Sequence, residues 1–126
     1  MPGKVKLVVA ARGEVRDRIR NALTAAGFVI TTESNDPADA LAAVTGRGLR
    51  VCVLDRGLPG AGLSTIAALA TTPRRPRLLV IGGTQRAADV RAALLAGADR
   101  CLPGAIDAER VATAVSELVG DSKGEG

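Results

Sequence analysis

The chain has 126 residues, 47% of them hydrophobic, with 17 basic and 13 acidic side chains and a formal net charge of +4. That length suits one domain with a core of its own, and no apolar run approaches the roughly 20 residues of a membrane span. Phe28 is the single aromatic residue, so there is no stacking platform for single-stranded nucleic acid. No basic-then-apolar secretory signal opens the chain, and the arginines are spread rather than blocked. The expectation is a cytoplasmic protein with no membrane contact and no direct nucleic-acid binding.

Lys4 to Ala10 (KVKLVVA) reads as a first strand. Glu14 to Ala26 follows as a helix, with Val15, Ile19, Ala22, Leu23 and Ala26 on one face and Gly27 as its C-terminal cap. Phe28 to Thr32 is β-branched and makes a second strand. Asp36-Pro37 is a helix start, a capping carboxylate followed by proline at the first helical position. That helix runs to about Thr45, burying Ala40, Leu41 and Val44, and Gly46 and Gly48 end it.

Val51 to Asp55 is a third strand, an apolar run that ends in an acid and then a turn marked by Gly57, Pro59 and Gly60. Leu63 to Ala70 is a short helix, and Thr72 to Pro76 a connector. Leu78 to Ile81 is a fourth strand, stopped by Gly82-Gly83. Gln85 to Ala96 is a helix with Val90, Ala93 and Leu94 inward and Gly97 as its cap. Arg100 to Leu102 is a short fifth strand.

Asp107 caps a last helix that runs to Val119, with Ile106 and Val111 spaced as a hydrophobic staple. Val111, Ala114, Val115 and Leu118 form its buried stripe. Residues 1–119 are thus one domain, and residues 120–126, without an apolar side chain, read as a frayed tail or the start of a linker. Cys52 and Cys101 sit inside strand-like runs and read as buried free thiols, with no metal-ligand spacing.

Strand and helix alternate throughout, which predicts an α/β fold: a doubly wound parallel sheet with right-handed crossovers. The flavodoxin-like (βα)5 order, 2-1-3-4-5, suits five such units. That order brings the ends of strands one, three and four together at Asp55, on the edge where open parallel sheets form their crevices.

The chain resembles the receiver domain of two-component response regulators from Lys6 to Val119. The resemblance rests on Leu7-Val8-Val9, on Val53-Leu54-Asp55-Arg56-Gly57-Leu58-Pro59-Gly60 and on Ala96-Gly97-Ala98-Asp99 before the fifth strand. It implies that Asp55 matches the phosphoacceptor. It also implies helpers that this sequence lacks. An acidic pair that holds Mg²⁺ is replaced by Ala10 and Ala11, and a Thr or Ser after strand four by Gly82. The lysine after strand five is replaced by Gly104, with Pro103 on its other side, and a switch aromatic by Cys101. No lysine lies between Lys6 and Lys123.

The chain therefore reads as a degenerate receiver with no metal and no cofactor. Three readings of Asp55 stay open: a strand-end acid that caps a loop, a residue held by Arg12 or Arg56, or a true phosphoacceptor. The leading functional expectation is a non-enzymatic regulatory and dimerisation module, independent of phosphorylation and of uncertain kinase. Such modules control a covalently attached output domain, often a DNA binder in transcription control. A homodimer face in this family would use Arg91, Asp99, Arg100, Glu109, Arg110 and Glu117. A second reading is small-molecule sensing in a crevice lined by Ala10, Ala11, Arg12, Arg56, Gly57, Gly82, Gly83 and Gly104. A third is a phosphoacceptor with unusual helpers such as Glu14.

Overall fold

The computed structural model describes residues 5–46 and 48–125, with side chains described as far as residue 120. The elements are β1 (Lys6–Ala10), α1 (Gly13–Ala25), β2 (Val29–Ser34), α2 (Pro37–Ala43), β3 (Leu49–Asp55), α3 (Leu63–Ala70), β4 (Arg77–Ile81), α4 (Ala87–Ala96), β5 (Arg100–Leu102) and α5 (Ala108–Glu125). The strands form one parallel sheet in the order β2-β1-β3-β4-β5, as the alternation predicts.

Alternate residues of the inner strands feed two separate cores. On one face Leu7, Val9, Val51, Val53, Leu79 and Ile81 pack against Ile19 and Leu23 of α1 and Val111, Val115 and Leu118 of α5. On the other, Val8, Cys52, Leu54, Leu78 and Val80 meet Ala40, Val44, Ile66, Leu69 and Ala93. A strand covered on both faces must be apolar at every position, which is why these strands read as unbroken hydrophobic runs. Register then places the site. Ala10, the last residue of β1, pairs with Leu54, so Asp55 projects one residue further and pairs with Ile81 of β4.

Local chemistry sets the element ends. The Asp36 carboxylate accepts the Ala38 N–H at 3.0 Å, and Pro37 opens α2. Asp107 accepts the N–H groups of Glu109 and Arg110 at the start of α5. Gly97 ends α4 at φ +129, and a Cβ there would lie 2.3 Å from the Ala70 Cβ, so glycine also lets α3 and α4 close on each other.

Four expectations change. Leu94 is 44% exposed rather than inward, beside Leu95 at 78%. The α4 sequence AADVRAALLA is so rich in Ala and Leu that its periodicity does not single out a face. Ala26 lies exposed past the end of α1. Cys101 is half-buried because β5 is a three-residue edge strand, all of it half-buried, whereas Cys52 is fully enclosed. The α5 backbone stays helical through Glu125, past the expected end at Val119. Polar residues without a proline can extend a solvated helix, so the lack of apolar side chains did not mark its end. The side chains of 121–126 lie outside the described residues.

Burial pushes the Cys52 thiol up to about 12 from an ordinary 9.0. The unfolded chain releases this proton first, so the contribution is fully present below about pH 9 and is lost as pH rises toward about 12. The loss is about 1.4 kcal/mol per pH unit. In urea unfolding, the stability of wild type relative to Cys52→Val is expected to hold constant below pH 9 and to fall above it. A difference that stays flat to pH 11 would contradict the assignment.

Candidate functional site

Asp55 is fully buried at the end of β3. A carboxylate in that position must find donors, and it has four. Its Oδ2 accepts from Arg12 Nε at 2.8 Å and from the Arg12 backbone N–H at 3.2 Å. Its Oδ1 accepts from the Gly57 N–H at 2.8 Å and, at 3.5 Å, from Arg12 Nη2. The guanidinium lies across both oxygens in the fork geometry arginine favours. Its own side chain is 54% exposed, so the pair is a buried acid under a half-exposed base. The hydrogen bond to Asp55, and then its charge, raise the Arg12 pKa above its ordinary value.

Arg12 reaches this place because it is the N-cap of α1, with extended backbone (φ −62°, ψ 147°) two residues past the end of β1. The loop after Asp55 accommodates it. A Cβ at Gly57 would lie 2.8 Å from the Arg12 Cζ, so residue 57 both donates its N–H and leaves room for the guanidinium. Arg56 behaves differently. Its backbone N–H donates to the Ile81 carbonyl, and its side chain packs on Gly83 rather than on Asp55.

The remaining expected crevice residues do not form one open pocket over Asp55. Ala10 and Ala11 are fully buried, in opposite cores. Gly82 adopts φ +75, and a Cβ there would stand 3.2 Å from Asp55 Oδ1 and 3.3 Å from Ile106 Cδ1. Gly83 (φ +82) lies against the Arg56 stem. Gly104 (φ +83) is covered by Gln85, whose amide nitrogen would be 2.5 Å from a Cβ at 104. Gln85 carried no signal in the sequence, since only the folded β4–α4 and β5–α5 loops bring it there. Of the expected crevice residues, Arg56, Gly82 and Gly83 come together with Cys101 around a cavity on the α4 side of β4 and β5, which neither Asp55 nor Arg12 lines.

A divalent cation of the kind the receiver resemblance implies does not fit this arrangement. Hard cations need several oxygen ligands. Both Asp55 oxygens already face N–H donors, and Ala10 and Ala11 offer only methyl groups. No cluster of three potential ligands exists among the described residues. Glu14 stands exposed in the first turn of α1, and Asp17 pairs with Arg20.

The charges expected on a dimer face are partly committed within the chain. The Asp99 carboxylate accepts the Leu78 N–H at 2.7 Å and pairs with Arg75 and Arg77 at 3.0 and 3.5 Å. It ties the turn after α4 to the start of β4. Arg100 pairs with Glu117. Arg91, Glu109 and Arg110 are exposed.

The family model of the response regulator receiver domain matches residues 7–116. The structure is similar to the signal receiver domain of a Mycobacterium tuberculosis protein assigned as the response regulator NarL. The TM-score is 0.82 and the identity 28%, over 92% of this chain and 96% of that one. A CheY-like receiver domain protein from Methanospirillum hungatei superposes with a TM-score of 0.82 at 17% identity, covering 98% of each chain. A DNA-binding response regulator of the LuxR family from Staphylococcus aureus gives 0.79 at 17% identity, over 90% of this chain and 98% of that one. No curated protein matches the sequence.

Restoring a hydroxyl after β4 is expected to be costly. Gly82→Ser places a side chain at φ +75 and crowds Asp55 and Ile106, so urea unfolding should report a loss of about 2–4 kcal/mol. An unchanged midpoint would show that the loop relaxes freely.

Proposed function

The chain belongs to the response regulator receiver domains of two-component signalling, and from that premise we propose that it is an atypical receiver whose Asp55 is held by Arg12 and acts without phosphorylation. The observation that carries this reading is the doubly engaged Asp55 carboxylate. Phosphoryl transfer to a carboxylate brings two anionic groups together, and it proceeds only where cations or donors neutralise the developing charge. Among the described residues, the cation in contact with Asp55 is Arg12, and it already occupies the oxygens that would attack. To accept a phosphoryl group, the carboxylate would first have to give up its bidentate guanidinium, with no cluster of metal ligands among the described residues to take over.

On this reading the module is not an enzyme. It is a cytoplasmic regulatory and dimerisation unit in transcription control, and the segment after Val119 leads to a covalently attached DNA-binding output domain. The Staphylococcus aureus regulator of the same fold is a DNA-binding response regulator of the LuxR family. Arg91, Glu109 and Arg110 are the exposed charges available for self-complementary pairing across a two-fold axis. A histidine kinase is not required for this mode of action.

Intact-mass measurement after incubation with acetyl phosphate and Mg²⁺ tests the proposal. Wild type is expected to gain no phosphoryl group, like Asp55→Asn, under conditions that label an ordinary receiver. One added phosphoryl on wild type, absent from Asp55→Asn, would overturn it.

A further inference from the structure

A cavity of about 290 Å³ opens between the β4–α4 loop and β5, apart from the Arg12–Asp55 pair. Val80, Val90, Ala93 and Pro103 give it apolar walls, Cys101 lies in its wall, and Arg56 lines it as the cationic group. The volume lies at the small end of ligand sites, enough for a compact molecule.

The backbone and the stem of Arg56 are held by their surroundings. Its N–H is bonded to the Ile81 carbonyl at 2.9 Å, and Gly83, at φ +82, lets the Arg56 Cβ and Cγ lie close against the loop. Burial pushes the Cys101 thiol up and the Arg56 charge partly offsets this, so the guanidinium is felt at the thiol. Among the described residues no carboxylate lies within ion-pair distance of Arg56. A half-buried guanidinium without a counter-ion is suited to receive an anion, in particular a planar carboxylate. Asp89 also lines the cavity, where its carboxylate accepts the Thr84 hydroxyl at 2.5 Å. Its negative charge disfavours a second anionic group on the same ligand.

We propose that this cavity binds a small monocarboxylate with a compact apolar body, its carboxylate on Arg56 and its body against Val80, Val90 and Ala93. The site would supply an input signal that involves neither Asp55 nor phosphate, so its test is independent of whether Asp55 can be labelled.

Cys101 makes the site measurable. Cys52 is fully buried, with its thiol pushed up to about 12, so iodoacetamide acting on the folded chain reports Cys101. Benzoate, phenylacetate and isovalerate serve as probes, benzamide as the neutral control and phthalate as the dianion. At least one monocarboxylate is expected to slow alkylation saturably, while benzamide and phthalate do not. Arg56→Gln should raise the half-protecting concentration about tenfold or more, since a charge-assisted hydrogen bond is lost. Ala93→Leu should abolish protection by filling the cavity, and the urea midpoint of each variant checks that it is folded. No saturable protection by any monocarboxylate, equal protection by benzamide or phthalate, or an unchanged response in folded Arg56→Gln would overturn the proposal.

Discussion

A carboxylate with no exposure to water must be neutralised or fully hydrogen-bonded, and this constraint on Asp55 organises the upper edge of the sheet. The flavodoxin-like topology puts the acid there, because β3 is the central strand and extends one residue beyond β1. Arg12 then answers it from the second position after β1, the N-cap of α1. The rest follows from the space this pair needs. Gly57 must lack a side chain under the guanidinium, and Gly82 must lack one beside Oδ1. A polar or charged helper at either place would compete with the contact that keeps Asp55 satisfied. The absence of acids at Ala10 and Ala11 is consistent with the same arrangement, since the charge balance is complete without a cation site.

On the proposed reading, the substituted positions are not independent losses. A guanidinium tethered by the backbone stands where the family resemblance implies an exchangeable metal ion. The tethered base is itself half in water, however, so the edge remains accessible to solvent. To the side, on the α4 side of β4 and β5, Gly82, Gly83, Ala93 and Cys101 leave a cavity.

Much of the fold was legible because buried parallel strands have to be apolar throughout and because capping residues act locally. Asp36, Gly97 and Asp107 mark their helix ends by chemistry that needs no tertiary context. On α4 Ala93 is buried and Val90 half-buried as expected, and Leu94 alone was misplaced, since alanine or leucine at seven of the ten positions blurs the directional pattern. The end of α5 was not legible, because residues 120–126 (GDSKGEG) hold no apolar side chain from which a pattern could be read. In the site, the choice between Arg12 and Arg56 turns on geometry. Consecutive residues at the end of an extended strand point to opposite sides, so the neighbour in sequence, Arg56, is led away from the acid. The residue that pairs with Asp55 is 43 positions away. The Gln85 cover over Gly104 and the anchoring of Asp99 by Arg75 and Arg77 likewise depend on loop approach, which one chain's sequence does not display.

The most direct test of the central claim, that Arg12 and Asp55 act as one unit, is a double-mutant cycle of Arg12→Ala and Asp55→Asn in urea unfolding. The account predicts a favourable coupling of about 1–2 kcal/mol, below the value for a wholly buried pair because half of the arginine side chain remains in water. Strictly additive effects of the two substitutions would contradict it, and would return Asp55 to the role of a loop-capping acid satisfied by the backbone alone.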